Sequence, residues 1–497
     1  MKFQSTRNKN LRLDSAETII KGLSDEGGLF VPEEVPHLEK EELAELSKLD
    51  YCERAKRVFA KYMTDFSEEE LFECAEKAYI GRFEDDTPAP LVKLGESTYM
   101  LELWHGPTCA FKDMALQILP RFLVKSAKKA GNGEKTVILT ATSGDTGKAA
   151  LEGFCDVEGT EIIVFYPQNG VSKIQQLQMQ TQKGKNVCVC GVEGNFDDAQ
   201  TAVKSIFTDK YIRKKLAENG KSFSSANSIN VGRLLPQIAY YVSAYADLVA
   251  SGEITEGEAV NVCVPTGNFG NILAAYYAKR MGVPFAKLIC ASNANNVLTE
   301  FLSTGRYSIN RDFYMTESPS MDILVSSNLE RLLFELCEKD DGYICALMKS
   351  LREHGEYSVP DEVLDKIKEL FAAGYTDDKG AEKRIKMLFD EYSYLCDTHT
   401  AVAVDVYEKY KEETGDETKT IIASTASPYK FPRAVLKAIS GKDMEDDFAA
   451  AKEIEQLSGL AMPLQLKELS EKQPRFTKVC KREDMADFVL STVGGEN

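Results

Sequence analysis

The sequence predicts an α/β protein built on largely parallel sheets. Three observations predict it. The middle of the chain alternates short β-branched runs with helical patterns. Several of those runs end in polar, glycine-rich turns that lead straight into a helix, as in open parallel sheets, whose ligands collect at the carboxyl ends of the strands. Finally, 497 residues with 43% hydrophobic content exceed what one core holds, so two or three domains are expected.

The elements follow in order. Charged helical stretches at Glu39–Lys48, Tyr51–Tyr62 and Ser67–Lys77 follow the turn-rich Asp25–Pro32 and define an N-terminal subdomain over about residues 1–85. Thr87-Pro88-Ala89-Pro90 is a hinge or extended connector into the remainder, 86–497. Thr136–Thr140 reads as a strand, followed by a glycine-rich turn and a helix from Lys148 to Phe154. Glu161–Phe165 is the next strand and Val171–Gln182 the next helix. Further strands are expected at Asn186–Cys190, Ser222–Ser225, Val260–Val264, Ala286–Ala291 and Thr418–Ser424. Residues from about 305 to 415 are charged and mostly helical, an insertion before the last core strand. The terminal Gly494-Gly495-Glu496-Asn497 is expected to fray.

Composition excludes some functions. A formal charge of -18, with no dense Lys/Arg block, argues against nucleic acid as a partner. The first residues lack an apolar signal-peptide core, and no apolar run approaches the roughly 18 residues of a membrane span, so a cytoplasmic protein is expected. The twelve cysteines are scattered; Cys188 and Cys190 alternate along a strand, which suits buried thiols better than disulfides or a zinc site, and no metal is expected.

Five segments carry chemistry. Lys112 stands behind a Gly-Pro turn and beside the apolar Cys109, Ala110 and Phe111, where burial would favour the neutral amine that a Schiff base requires; a first-turn helix lysine facing water is the alternative. Pro265-Thr266-Gly267-Asn268-Phe269-Gly270-Asn271 joins a strand to a helix pattern from Ile272 to Met281, a geometry that converges N–H groups on an anion. It matches neither the Walker A nor the dinucleotide spacing. Thr142, Ser143, Asp145 and Thr146 repeat that arrangement with hydroxyls suited to a carboxylate, or serve as helix caps. Asn227, Ser228 and Arg233 place polar groups and a guanidinium before a long apolar helix, where Arg233 either clamps an oxyanion or stays solvated. Ser424-Thr425-Ala426-Ser427-Pro428 adds hydroxyls after the last strand.

Taken together, HGPTCAFKD, ATSGDTG, NSINVGRLLPQ, PTGNFGN and STASPYKF, with DEGGLFVPE near the start and SPSMDILVSSNLERLLF in the insertion, make the chain resemble the threonine synthases over nearly its whole length. These are pyridoxal-phosphate enzymes of fold type II. The resemblance implies two open, twisted, largely parallel sheet lobes, the smaller and mobile one spanning about 115–228, plus a mostly helical N-terminal subdomain. It implies that Lys112 carries pyridoxal 5′-phosphate and later shuttles protons. It also implies that Gly267, Asn268, Phe269, Gly270 and Asn271 cradle the cofactor phosphate and that Thr425 faces the pyridine nitrogen. A hydroxyl there does not hold the ring protonated as a carboxylate would, so the ring is a weaker electron sink. Asp145 stands where many relatives of this fold type carry an asparagine facing the ring hydroxyl, and it either holds a proton or alters the charge of the linkage.

The implied reaction is a carbon–oxygen lyase reaction of threonine biosynthesis, converting O-phospho-L-homoserine and water to L-threonine and phosphate. Thr142, Ser143 and Thr146 would take the substrate carboxylate, and Asn227, Ser228, Thr146, Asn271 and Arg233 the leaving phosphate. A phospholyase or a threonine dehydratase-like lyase releasing 2-oxobutyrate is the alternative on the same scaffold. The sequence selects neither a monomer nor a homodimer. Trp104, His105 and His399 are expected to be structural.

Overall fold

The structure, a computed structural model, describes residues 1–494 other than 85, 86, 132 and 143. The expectations for Ser143 and for Gly495-Glu496-Asn497 lie outside the described residues.

Two sheets organise the chain. The first has five strands in the order Val479–Lys481, Val187–Glu193, Thr160–Pro167, Lys135–Ala141 and Lys221–Ser224, every pair parallel. The second has six, in the order Phe371–Tyr375, Phe285–Ser292, Val260–Pro265, Thr420–Ser424, Thr98–Glu102 and Leu91–Leu94, parallel except for the last pair. Parallel sheets need helical crossovers that cover both faces, which is why the strands read as continuous apolar runs and not as alternating ones. Val260–Pro265 is buried along its whole length. All seven expected strands overlap an observed one, with ends that agree to within three residues.

The stretch from 115 to 228 supplies four strands of the five-stranded sheet, and the fifth comes from the C-terminal Val479–Lys481. The reason is packing. Met485, Phe488 and Val489 of the last helix share a core with Val137, Leu139, Ile163 and Phe165, so the end of the chain closes one face and one edge of that sheet. The insertion from 305 to 415 is mostly helical but carries the edge strand Phe371–Tyr375, and it adds a two-stranded antiparallel pair of Arg306–Ser308 with Glu356–Ser358.

The N-terminal region contains the expected helices at Lys40–Leu46, Tyr51–Tyr62 and Glu68–Tyr79, each begun by an acidic or serine cap, and a further one at Ser15–Lys21. It is less purely helical than its charge pattern suggests. Phe3–Ser5 pairs antiparallel with Asn8–Leu13 and with Phe30–Pro32, and these short segments lack a helical period because two of them are fully buried. The helix Val231–Ala250, buried along almost its whole length, runs from the five-stranded sheet toward the six-stranded one and packs on Tyr51–Tyr62 and Gly270–Arg280. No helix among the described residues is long and apolar enough to cross a membrane. The twelve cysteines are free thiols, seven of them buried.

Candidate active site

Contacts link every described loop that the sequence singles out. The lysine loop is built by its own residues. Asp113 Oδ2 accepts the Thr108 N–H and its Oδ1 the Thr108 hydroxyl, both at 2.8 Å. A Cβ on Gly106 would lie 2.6 Å from the same Oδ2, so only glycine allows this close turn. Cys109 takes a left-handed φ of 59°. The loop is then zipped to the last strand's exit: the Phe111 N–H donates to the Thr425 carbonyl at 2.8 Å, and the Ser427 N–H to the Cys109 carbonyl at 3.0 Å. Thr425 is thereby fixed beside Lys112, and its own N–H donates to Thr400 Oγ1 at 3.2 Å.

Lys112 does not face water. It is 8% exposed, its Nζ lies 4.6 Å from the centre of the Phe111 ring, donates to Ser320 Oγ at 3.4 Å, and stands 3.6 Å from Asp145 Oδ2. Burial drives the amine below its ordinary range; Asp145 opposes this, and the charges of Lys430 and Arg233 add to it.

Asp145 opens the helix Asp145–Phe154 and is 3% exposed. Burial alone would raise its carboxyl, but Lys430 Nζ at 2.7 Å from Oδ1, Lys112, and a hydrogen bond from Gln175 Nε2 at 2.9 Å overcome that and hold it far below the usual carboxylate range. Of the two alternatives left open by the sequence, the structure therefore favours the ionised carboxylate. Behind it, Thr142 Oγ1 accepts the N–H groups of Gly144 at 3.0 Å and Gly147 at 2.8 Å, so Thr142 shapes the turn. Thr146 is half-buried at the same helix start.

The glycine loop leads into the helix Gly270–Arg280. Phe269 caps that helix in the left-handed region, φ 63°, a conformation costly for a bulky residue that its ring, 1% exposed, offsets by packing against Phe371. The wound backbone leaves the N–H groups of Gly267, Asn268, Phe269, Gly270 and Asn271 without a hydrogen-bond partner among the described residues. Carbonyls on the other side of the loop are tied down instead. Ser326 Oγ donates to the Gly267 carbonyl at 2.8 Å, and Asn328 Nδ2 to that of Asn268 at 2.9 Å. A Cβ on Gly267 would sit 2.8 Å from the Ser320 carbonyl oxygen. Gly267→Ala should therefore push the loop off Ser320, at a cost of roughly 1–3 kcal/mol for overpacking, and weaken cofactor retention. Absorbance of the protein after dialysis measures it, and undiminished retention would refute the tight-loop argument.

Asn271 and Arg233 belong to one network. Asn271 Oδ1 accepts from Tyr241; the Tyr240 hydroxyl lies 3.0 Å from Asn271 Oδ1 and 3.1 Å from Gln237 Oε1 and gives its one proton to either, and Gln237 Nε2 donates to the Arg233 carbonyl at 2.7 Å. Two donors in it are buried without partners, Asn271 Nδ2 and Arg233 Nε. Arg233 is 3% exposed, its Nη1 donates to the Ala226 carbonyl at 2.7 Å, and burial lowers it to about 10, still charged at neutral pH. It is not a solvated surface arginine. Asn227 and Ser228 are half-buried on the turn before it, and Ser228 Cβ comes within 3.9 Å of a Cβ placed on Gly270.

Sequence reasoning misses the residues that hold these loops. Lys430, Gln175 and Ser320 contact Asp145 or Lys112 directly. Arg331, fully buried, donates from Nε to the Phe30 carbonyl at 2.9 Å and from Nη2 to the Ile229 carbonyl at 2.6 Å, joining the N-terminal region to the Asn227 turn. The Ser320 N–H donates to His399 Nε2 at 3.1 Å, which leaves the ring proton on Nδ1, directed at Asp397 Oδ2 2.7 Å away. For Lys430 and Arg331 the available signal was a charged residue inside an apolar setting, as in PYKF and ERLLF; Gln175 and Ser320 gave none.

His105 is bound between two carboxylates, with Nε2 2.7 Å from Glu102 and Nδ1 3.2 Å from Glu84. Burial would lower it, but Glu102 and Glu84 push it up from 6.5 to about 9. A raised histidine contributes stability that is present below its unfolded value and is lost as pH climbs through the folded one. The melting temperature should accordingly fall between about pH 6.5 and 9, and His105→Gln should flatten that slope. Parallel wild-type and variant profiles would count against the ion-pair reading.

Residues 2–79 match the family described as "Threonine synthase N terminus", 84–425 that described as "Pyridoxal-phosphate dependent enzyme", and 400–489 "Threonine synthase, C-terminal". A threonine synthase of Pseudomonas aeruginosa is 38% identical over 443 residues, covering 89% of this chain and 91% of that protein. The chain belongs to the threonine synthase family. A PLP-bound threonine synthase from Brucella melitensis has the same architecture, with a TM-score of 0.88, 35% identity and 99% of each chain covered. Human "Threonine synthase-like 1" is 41% identical over 441 residues, and the chain spans 58% of the length of that protein. Pyridoxal 5′-phosphate is the cofactor of this family, and the site fits it. A buried lysine amine and a loop of unpaired N–H groups that a Cβ would obstruct are present together.

Proposed function

We propose that this protein is a threonine synthase that converts O-phospho-L-homoserine and water to L-threonine and phosphate. The observation that carries this reading is the duplication of anion sites: the unpaired N–H groups at 267–271 suit the cofactor phosphate, and the orphaned donors of Arg233 and Asn271 suit a second one, on the substrate. A buried donor left unmade costs roughly 1–3 kcal/mol, so an anion there relieves the site as it binds. Lys430 and Arg233 place buried positive charge around Lys112, which favours an anionic ligand.

When bound, the cofactor supplies an electron sink for charge developing on the substrate carbons. Lys112 Nζ carries it and moves protons at the substrate, aided by a depressed pKa that makes the amine available as a base. Thr142, Ser143 and Thr146 receive the substrate carboxylate, while Asn227, Ser228, Asn271 and Arg233 hold the phosphate as it leaves. Thr425 would face the ring nitrogen. The lobe built on the five-stranded sheet closes over the substrate and excludes water until water is needed. Structures with and without a substrate analogue should differ by a lobe rotation, and superposition of both without it would refute closure.

Incubation with phosphohomoserine tests the reaction. Threonine and inorganic phosphate in equal amounts are expected; 2-oxobutyrate as the main product would replace the synthase with a phospholyase.

A further inference from the structure

Lys430 is fully buried, an unusual place for an ammonium. It ends the short turn Pro428–Lys430 that follows Thr425, and its Nζ lies 2.7 Å from Asp145 Oδ1 and donates to the Thr108 carbonyl at 3.1 Å. One ammonium therefore joins three elements: the exit of the last strand, the lysine loop and the helix that Asp145 begins. Gln175 Nε2 donates to the same Oδ1, and Gln178 Nε2 to the same Thr108 carbonyl at 3.3 Å, so each end of the bridge has a second donor. Gln175 comes this close only because residue 144 is a glycine. Gly144 before it has a φ of 136°, and a Cβ there would lie 2.5 Å from the Gln175 side chain. The remaining oxygen, Oδ2, is left facing Lys112.

The two lysines differ in what they can do for Asp145. A buried carboxylate without a partner is costly by several kcal/mol and takes up a proton instead. Lys112 is the wrong partner to rely on, because its charge changes whenever the amine joins or leaves a cofactor. Lys430 has no such variation. Other titratable groups near the pair are Cys109 and Asp113 on the lysine loop, Lys148 and Glu152 on the Asp145 helix, and Arg233. Burial raises Asp113 to about 6, so it is the nearby carboxyl that titrates close to neutrality in place of Asp145.

We propose that Lys430 is a positioning residue that keeps Asp145 a carboxylate, with Oδ2 directed at Lys112, whatever the charge on Lys112. The proposal rests on the reading of Lys112 as the cofactor-bearing lysine. Lys430→Met should let Asp145 take up a proton near neutral pH, seen in the cofactor-free protein as an infrared band of a protonated buried carboxyl that the double variant with Asp145→Asn lacks. In the loaded enzyme the acid limb of the kcat profile should move upward by about one pH unit or more, and Lys430→Arg should return it toward wild type. Should Lys430→Met be too unstable to purify, the pairing still has a test: Asp145→Asn added to it should recover stability, because the uncompensated carboxylate is gone. No carboxyl band together with an unmoved acid limb, or stability losses that simply add, would make Lys430 a packing residue and overturn the proposal. The infrared arm needs no cofactor, so its failure is distinct from a failure to find cofactor on Lys112.

Discussion

Replacing Lys112 by alanine should abolish turnover while the fold and part of the cofactor affinity survive. Loss of activity follows from losing both the attachment point and the proton carrier; acid–base assistance alone is worth roughly 10² to 10⁴ in rate. Survival of the fold follows from the charge arrangement. Removing a partner from a buried ion pair is usually damaging because an unpaired charge remains. Asp145 keeps Lys430 at 2.7 Å and Gln175 at 2.9 Å, and Lys112 is the most distant of its partners at 3.6 Å. Affinity persists because the N–H cradle at 267–271 is untouched. Steady-state rates and the mass of a borohydride-reduced adduct check this, and a variant retaining more than about a tenth of the wild-type rate would refute the assignment, since that loss falls short of acid–base assistance alone.

Seven of the ten parallel strands were legible, most of them as apolar or β-branched runs bounded by turn chemistry, as at Val260–Pro265 with Gly267 behind it, whereas Thr98–Glu102 was not. Nor was Phe371–Tyr375, because FAAGY has little β-propensity and becomes a strand only by pairing along 288–292. Val479–Lys481 was hidden by distance in sequence, since nothing near residue 480 signals that its pairing partner is 191–193. The site divides similarly. Lys112, Asp145, the glycine loop and Arg233 stand at strand ends or helix starts, where local sequence already implies ligand chemistry. Lys430, Gln175, Ser320 and Arg331 act through contacts across the fold, so an alternation or a turn signal cannot reveal them. Phe269 shows the opposite limit: a phenylalanine gives no hint of a positive φ, and only the buried contact with Phe371 explains why glycine is not needed.

Changing Arg233 to alanine should depress kcat/KM for phosphohomoserine far more than it weakens cofactor binding. The guanidinium has one N–H spent on the Ala226 carbonyl and one buried without a partner, at the positive end of the helix Val231–Ala250. Losing a charge-assisted donor that acts on a phosphate costs on the order of 2 to 4 kcal/mol in transition-state stabilisation, or roughly 30- to 1,000-fold in rate. Arg233→Lys should recover only part, because an ammonium keeps the charge but cannot serve the carbonyl and the anion with a planar fork. Since the side chain also braces the Asn227 turn, the melting temperature and cofactor occupancy of each variant separate a binding defect from a collapsed turn. A truly local effect leaves both near wild type. If kcat/KM is unchanged in both variants, the leaving phosphate is held elsewhere, and the orphaned Nε of Arg233 serves some other anion.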